Sequence, residues 1–442
     1  MKWLNRTVLV FLGLIGIFAW LNFPKLTIIS GYASKNMAST VFIAHRNPTS
    51  IKEKDNNVPL IKWADVKLTD HGASASVFGL MQRETECIEG LGCFLINPGT
   101  HLDKTALKPQ RNPMLLTLPF PFGNGDPKDT LFANVDFRHL EEAMDLAFSN
   151  PAIQKTRTVL VAYKNHIIAE RYGDGFNENT PVLGWSMTKS VLATLYGILQ
   201  YQGKININER AEVESWQNDE RKNITLNHLL RMQSGLAWDE DYTSISDVTK
   251  MLFLSDNMSL AQAQNESIAP PTEIWNYSSG TTNLLSGLLR NTLSDQQAYL
   301  NFPYHELIDK IGMTSMLIET DASGNFVGSS YGWASTRDWA KFGLLYLNHG
   351  RWNGEQLFDP EWPAYVSRPT PHSQGTYGAH FWLNAEGKYP DVPRDLYSAN
   401  GYQGQYVFII PSKDLVVVRT GLAEEPDFDV NGFLREVIAS IQ

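Results

Sequence analysis

The stretch Gly184-Trp185-Ser186-Met187-Thr188-Lys189 opens an apolar segment that continues to Gln200 and has the pattern of a helix. Residues i and i+3 lie on one face of a helix, so the Ser186 hydroxyl and the Lys189 amine are expected to be neighbours. A serine hydroxyl becomes a nucleophile when a base removes its proton, and a desolvated lysine can serve. The helix start adds free N–H groups that can bind an oxyanion. The spacing alone is weak evidence, because about one Ser-x-x-Lys arises by chance in such a chain.

Two further segments carry groups that this chemistry would use. Tyr277-Ser278-Ser279 precedes Gly280 and a predicted helix, so the Tyr277 phenol can project from a turn into a cleft and transfer protons beside a lysine cation. The segment 399–405, Ala-Asn-Gly-Tyr-Gln-Gly-Gln, precedes a strand, and its glycines permit close backbone approach. The N–H groups of Tyr402 and Ser186 would then form an oxyanion hole. The alternative interpretations are an ordinary half-buried tyrosine and a tight turn.

The remaining pattern predicts an α+β fold from about Asn134 onward. The predicted helices are 137–144, Met187–Gln200, Ile224–Met232, Asn283–Leu293, Thr336–Leu347 and Val430–Ile441. The predicted strands are Thr156–Tyr163 and His166–Tyr172, which form a hairpin, and Tyr377–Leu383, Gln405–Ile410 and Leu415–Arg419. Strands at both ends with helices between them predict one antiparallel sheet flanked by helices, with a second, mainly helical lobe and a cleft between them.

The N-terminus predicts a membrane anchor. Lys2 and Arg6 precede an apolar run, Thr7–Phe23, that is at the short limit for a membrane span. We therefore predict three regions, with an anchor at 1–25, an N-terminal extension at 26–133 and the main domain at 134–442. The chain after the anchor would be exported and face the periplasm from the bacterial inner membrane. Export permits a disulfide between Cys87 and Cys93, although two unpaired thiols remain the alternative.

Composition and missing motifs exclude several classes of protein. The formal net charge of −10 and the pI of about 5.5 disfavour a nucleic-acid partner. The 10 histidines are scattered and no His-Glu-x-x-His occurs, so we predict no metal and no other cofactor. His380 could line a cleft, but a structural role is the better prediction. Without Gly-x-Ser-x-Gly or a P-loop, the chain does not fit an α/β-hydrolase or a P-loop NTPase.

Together, in this order, the three segments resemble the serine β-lactamase and penicillin-binding-protein superfamily. The resemblance is to its class C β-lactamase-like branch, which includes esterases, D-aminopeptidases and 6-aminohexanoate-dimer hydrolases. It covers about residues 135–440 and extends to Leu229–Leu236, Trp333–Phe342 and Val407–Val418. It implies that Ser186 is the acylated nucleophile, that Lys189 relays protons and that Tyr277 is the general base or acid. It also implies that Tyr402, Gly401 and Ser279 bind the oxyanion or the substrate.

Two departures from the family pattern bear on the substrate. Ala399-Asn400-Gly401 stands where β-lactamases have Lys-Thr-Gly, so the cation that would meet a substrate carboxylate is absent. Ser279 stands where class C β-lactamases have Asn. Both departures occur in the esterase and amide-hydrolase branch, which favours a small-molecule amide or ester as substrate. The alternatives are a β-lactamase or DD-peptidase, and a non-catalytic penicillin-recognising or envelope interaction protein. The sequence leaves the oligomeric state open.

Overall fold

The computed structural model describes residues 23–100, 102, 107–113, 117–123 and 125–442. The chain divides into two compact units. The N-terminal unit consists of Met1–Leu102 together with Asp239–Asp256, and the C-terminal unit consists of Asp103–Trp238 with Asn257–Gln442. The N-terminal unit therefore includes a short segment from the middle of the chain. The boundaries expected near residues 25 and 133 remain predictions.

The regular elements are as follows, in chain order. The α-helices are α1 (helical over residues 23–42), α2 (Pro48–Ser50), α3 (Phe137–Phe148), α4 (Pro151–Gln154), α5 (Met187–Tyr201), α6 (Leu226–Leu230), α7 (Asp247–Leu254), α8 (Ser279–Thr292), α9 (Gln296–Pro303), α10 (Thr336–Leu347), α11 (Trp362–Ser367) and α12 (Val430–Ala439). The strands are β1 (Ala64–Thr69), β2 (Gly72–Val77), β3 (Leu80–Ile88), β4 (Gly92–Ile96), β5 (Thr156–Tyr163), β6 (His166–Tyr172), β7 (Val182–Leu183), β8 (Leu317–Ile318), β9 (Gly332–Ala334), β10 (Arg351–Trp352), β11 (Glu355–Gln356), β12 (Trp382–Leu383), β13 (Tyr397–Gly401), β14 (Gln405–Ile410) and β15 (Leu415–Gly421).

The N-terminal unit is built on a four-stranded antiparallel sheet in the order β1-β2-β3-β4. Helix α1 packs on this sheet, since Ile29 and Ala33 lie against the apolar side chains at the ends of β1 and β2. Cys87 and Cys93 are opposite each other on β3 and β4 and are joined in a disulfide. Of the two alternatives given for these cysteines, a disulfide and two unpaired thiols, the structure has the disulfide.

The C-terminal unit contains a six-stranded antiparallel sheet in the order β12-β13-β14-β15-β5-β6. Strand β5 pairs with β15, which confirms that strands from the two ends of the domain share one sheet. Helices α3 and α12 pack on one face, in a core with Val159, Phe408 and Val417. Helix α10 packs on the other face, where a Cβ at Gly343 would lie within 3 Å of Val416 and Val407. The predicted α+β class is confirmed.

Two predicted elements differ from the structure for local reasons. The strand expected over Tyr377–Leu383 is reduced to β12, because the backbone turns between Tyr377 and Trp382, where His380 has a φ of 60°. A left-handed φ cannot continue an extended strand. The helix expected over Ile224–Met232 is only α6, which Thr225 caps and which cannot continue through Met232 at a φ of 58°.

A small sheet in the order β7-β9-β8 leads into the start of α5. Gly184 N donates to Gly332 O at 2.7 Å, so the chain is still tied to β9 just before Ser186. The predicted anchor, Thr7–Phe23, lies outside the described residues except for Phe23. Within the described part of the chain, no helix has the length and apolarity needed to cross a membrane.

Candidate active site

Ser186 lies at the N-cap of α5, on a turn that is fixed from two sides. Trp185 has a φ of 48°, a left-handed conformation that redirects the chain from β7 into the helix. The Thr188 hydroxyl donates to Trp185 O at 2.7 Å and accepts from Gly332 N at 2.9 Å, which ties the first helical turn to β9. Ser186 remains partly exposed on this rigid turn, where a substrate can reach its hydroxyl.

The amine of Lys189 lies at the centre of the site. Its side chain is 1% exposed. Nζ donates to Ser186 Oγ, to Ser279 Oγ and to the backbone oxygen of Ser329, each at 2.9 Å. A protonated amine has three N–H groups, and these three oxygens match them. The predicted proximity of Ser186 and Lys189 is therefore observed, and Ser279 belongs to the same cluster.

The ring of Tyr277 stands over the amine, with its centroid 4.9 Å from Lys189 Nζ. Tyr277 and Ser278 immediately precede α8, and the Ser278 hydroxyl caps this helix by accepting from Thr281 N. Two aromatic side chains hold the Tyr277 ring, with centroid distances of 5.6 Å to Tyr377 and 5.4 Å to Trp382. A helix start and two packed aromatic side chains thus place the Tyr277 ring beside the amine.

The third predicted segment runs along the nucleophile turn. A Cβ at Gly401 would lie 2.0 Å from Gly184 O, so only glycine permits this approach of β13. The ring of Tyr402 meets Trp185 edge to face at a centroid distance of 5.7 Å. Tyr402 O accepts from the Gln405 side chain at 3.0 Å, which fixes the loop that follows the strand. Gly401 and Tyr402 therefore adjoin the turn that carries Ser186.

Sequence reasoning missed the support for Lys189 from the Ser329 carbonyl. Asn283 Oδ1 accepts from Ser329 N at 3.1 Å and so orients this peptide. A backbone carbonyl has no signature in the sequence. Asn283 lies on α8 four residues after Ser279 and is 1% exposed. Residues four apart share a helix face, so its spacing from Ser279 is a signal that could have indicated it.

His380 is a structural residue beneath the site. It is 2% exposed, donates from Nδ1 to Leu230 O at 2.6 Å and accepts at Nε2 from the Thr282 hydroxyl at 3.0 Å. Burial lowers the pKa of His380 to about 3, and the charge of Lys189 acts in the same direction. The ring is therefore neutral at ordinary pH.

The third segment contacts charged groups of both signs, since the Arg419 guanidinium donates to Gly404 O at 2.8 Å and Glu424 lies at Gln403. Glu424 accepts a hydrogen bond from Gln403 N, and burial, followed by the charge of Glu424, raises the pKa of Tyr402. Ala399, at the start of the third segment, is fully buried. In the described ranges of the chain, no three His, Cys, Asp or Glu side chains are grouped to hold a metal ion.

Comparison with known proteins identifies the fold. A family model described as Beta-lactamase matches residues 152–435, more than half of the chain. The Bacillus anthracis protein described as a 6-aminohexanoate-dimer hydrolase is 20% identical, with a TM-score of 0.59 over 76% of this chain and 90% of its own. A family VIII carboxylesterase is 17% identical, with a TM-score of 0.51 over 71% of this chain and 99% of its own. A D-stereospecific amidohydrolase from Streptomyces sp. is 14% identical, with a TM-score of 0.51 over 69% and 98%. A search of curated proteins found no match.

Proposed function

The chain belongs to the beta-lactamase family of serine hydrolases, and on that premise we propose that it cleaves an amide or ester bond through an acyl-enzyme on Ser186. The observation that carries the proposal is the position of Lys189 Nζ, which is 2.9 Å from Ser186 Oγ and 4.9 Å from the centroid of the Tyr277 ring. A nucleophile, a cation and a proton-transferring group at one point are what acyl transfer requires.

The proposed acylation step uses Tyr277 as the base. Its oxygen takes the proton of Ser186 while Ser186 Oγ bonds to the substrate carbonyl carbon, and the Lys189 ammonium stabilises the phenolate before transfer. The N–H groups of Ser186 and Tyr402 bind the oxyanion. Tyr277 then passes the proton to the leaving nitrogen or oxygen as that bond breaks. Water, activated in the same way, releases the acid and restores Ser186.

The proposed substrate is a small amide or ester whose acyl part carries no carboxylate beside the scissile bond. Ala399 offers no cation at the position where the resemblance places the lysine of β-lactamases. The similar structures include proteins described as a 6-aminohexanoate-dimer hydrolase and a carboxylesterase, which fits this class of substrate. Activity against β-lactams is the alternative that the experiment below tests.

We also propose that the protein is exported and anchored in the bacterial inner membrane, facing the periplasm. The support is the basic and apolar pattern of the first 23 residues and the disulfide between Cys87 and Cys93. Disulfides form and persist mainly in oxidising compartments such as the periplasm.

The test is a panel of p-nitrophenyl esters, short linear amides and nitrocefin, assayed with the wild-type chain and with Ser186→Ala. We expect ester turnover that falls by at least about 10³-fold in Ser186→Ala, with little hydrolysis of nitrocefin. Lys189→Ala should likewise abolish acylation by a fluorophosphonate probe. Ser149→Ala is the matched control, because Ser149 is an exposed serine whose hydroxyl donates to its own helix.

Three results would contradict the proposal. Equal ester rates for wild type and Ser186→Ala would remove the nucleophile. Rapid nitrocefin turnover would contradict the substrate class inferred from Ala399. A folded chain with no turnover and no probe labelling at Ser186 would point to a non-catalytic envelope protein.

A further inference from the structure

Four large apolar side chains are exposed together at one end of the N-terminal sheet. They are Leu60, Trp63, Phe78 and Leu80, here called the Trp63–Phe78 cluster. Phe78 is 76% exposed, Trp63 50%, Leu80 49% and Leu60 39%. The Trp63 and Phe78 rings contact each other, with centroids 6.3 Å apart. Single exposed apolar residues are common, but a contiguous group marks a contact surface.

Phe78 is exposed at a cost in backbone conformation. Val77 pairs with Leu80, so Phe78 and Gly79 form the two-residue turn between β2 and β3, with φ of 53° and 75°. Turns of this type favour Asn-Gly, and a bulky residue at a left-handed φ is uncommon. A side chain that is unfavourable both for the turn and for water indicates a function for the exposed ring.

The cluster lies at the end of the unit where α1 enters. The Ser30 hydroxyl donates to Met81 O at 2.6 Å, next to Leu80, and Leu26 and Ile61 pack against Ala64 and Val77. Residue 23, where the described helix begins, is seven residues before Ser30, about 10 Å along a helix. The apolar run Thr7–Phe23 therefore joins the unit on the side of the cluster.

Basic residues accompany the cluster. Lys62 is exposed between Leu60 and Trp63, and Lys25 directly follows the apolar run and Pro24. The exposed acidic residue nearest to Trp63 in sequence is Asp65, the second residue of β1. Aromatic rings with lysines beside an apolar segment are typical of the boundary between lipid head groups and acyl chains.

We propose that the Trp63–Phe78 cluster inserts into the head-group region of a phospholipid bilayer, as a second membrane contact beside the N-terminal apolar run. The inference rests on the proposed location of the protein at a membrane. The helical distance of about 10 Å from residue 23 to the level of Leu80 matches the depth of the interfacial layer, roughly 5–10 Å. Docking at the bilayer would give the N-terminal unit a second point of attachment and so fix its orientation.

The experiment places an environment-sensitive fluorophore on the turn. The two cysteines of the chain are joined to each other, so Phe78→Cys supplies the one free thiol for labelling. Asp70→Cys is the matched control, since Asp70 is an exposed turn residue between β1 and β2 at the opposite end of the same sheet. The labelled full chains are reconstituted into phosphatidylethanolamine and phosphatidylglycerol liposomes, and aqueous iodide quenching is measured. Circular dichroism of each labelled chain reports that it is folded.

We expect iodide to quench the Phe78→Cys probe roughly five-fold less than the Asp70→Cys probe in liposomes, because an interfacial probe is shielded from water. Equal quenching in chains that float with the liposomes would overturn the proposal while leaving the anchor intact. Protection that rises with protein density would also overturn it and would identify a second copy as the occupant. Chains that fail to float with the liposomes would contradict both the proposed membrane location and this contact. The proposed ester hydrolysis would not be affected by that result.

Discussion

The two antiparallel sheets of the molecule differ most in how much of each is covered. In the C-terminal unit, β14 and β15 are buried at every residue. In the N-terminal unit, β1 buries only Ala64, and Asp65, Lys67 and Leu68 are exposed. The sheet of the C-terminal unit has helices on both faces, whereas β1 of the N-terminal unit presents much of its length to solvent.

The difference in coverage corresponds to what each sheet carries. The covered sheet positions β13 against the turn of Ser186, where a Cβ at Gly401 would lie 2.0 Å from Gly184 O, so the contact leaves little room for shifts of this strand. Dense packing on both faces resists such shifts. The partly open sheet carries the disulfide and the Trp63–Phe78 cluster, for which we propose a membrane contact.

The largest expected effect is the loss of a ring from the covered sheet. Phe408 is fully buried and stacks on Tyr406. Phe408→Ala should lower the free energy of unfolding by about 3–5 kcal/mol, because it removes a large side chain and leaves a cavity. Leu68→Ala, on the exposed part of β1, should change it by less than about 0.5 kcal/mol. Urea unfolding followed by tryptophan fluorescence measures the first effect, and amide hydrogen exchange in peptides from β1 measures the second.

Tryptophan fluorescence reports the C-terminal unit, because nine of the 12 tryptophans, from Trp185 to Trp382, lie in it. If Phe408→Ala proves too unstable to purify, Phe408→Leu tests the same packing with a smaller loss. Similar effects of the Phe408 and Leu68 substitutions would mean that coverage by helices does not set the stability of the two sheets.

Coverage also explains which parts of the fold could be predicted. Strands buried on both faces form continuous apolar runs, so β5, β14 and the core of β15 were predicted at nearly their observed bounds. The strands β1–β4 were not, because small and polar residues such as those of Gly72–Val77 lack a clear period of two. The run Tyr377–Leu383 was misassigned, since no pattern reveals the left-handed backbone at His380.

The site was predictable only where its chemistry is local. Ser186 and Lys189 are three residues apart on one helix, so their proximity follows from helical geometry. Tyr277 and Tyr402 are distant from Ser186 in sequence. Their segments alone were also compatible with an ordinary half-buried tyrosine and a tight turn, and the resemblance to a family favoured the catalytic interpretation. The Ser329 carbonyl, and Asn283 that orients it, depend on tertiary contacts with no counterpart in a sequence motif.

A smaller effect is expected from the disulfide, and it should be confined to the N-terminal unit. The bond closes a short loop between β3 and β4, for which chain entropy predicts about 2 kcal/mol. In Cys87→Ala/Cys93→Ala, amide hydrogen exchange in peptides from β3 and β4 should show a loss of local stability of about that size. The fluorescence transition of the C-terminal unit should remain unchanged. A comparable shift in both units would show that they unfold together.

The smallest expected effect is a change of stability with pH, which comes from two buried titratable groups of the C-terminal unit. In the C-terminal unit, burial lowers the pKa of His380 to about 3 and raises the pKa of Asp321 to about 6. Because folded His380 stays neutral below its unfolded pKa of about 6.5, its contribution to stability falls as the pH drops from there towards 3. Folded Asp321 takes up a proton near pH 6 and its unfolded form near 4, so its contribution rises over that interval. The two oppose each other, and between pH 7 and 4 the net loss from them is of the order of 1 kcal/mol.

Substituting His380 by asparagine isolates this balance. Asparagine keeps a side-chain donor for Leu230 O and tolerates the left-handed φ of 60°, but it does not titrate. His380→Asn should be less stable than wild type at pH 7, since the bond from Thr282 is lost. The difference in unfolding free energy between His380→Asn and wild type should then shift in favour of the variant as the pH falls to 4. The variant keeps the gain from Asp321 and lacks the loss from His380. Parallel stability curves for the two proteins would mean that His380 takes up its proton in the folded state, and that the covered unit does not keep this ring from water.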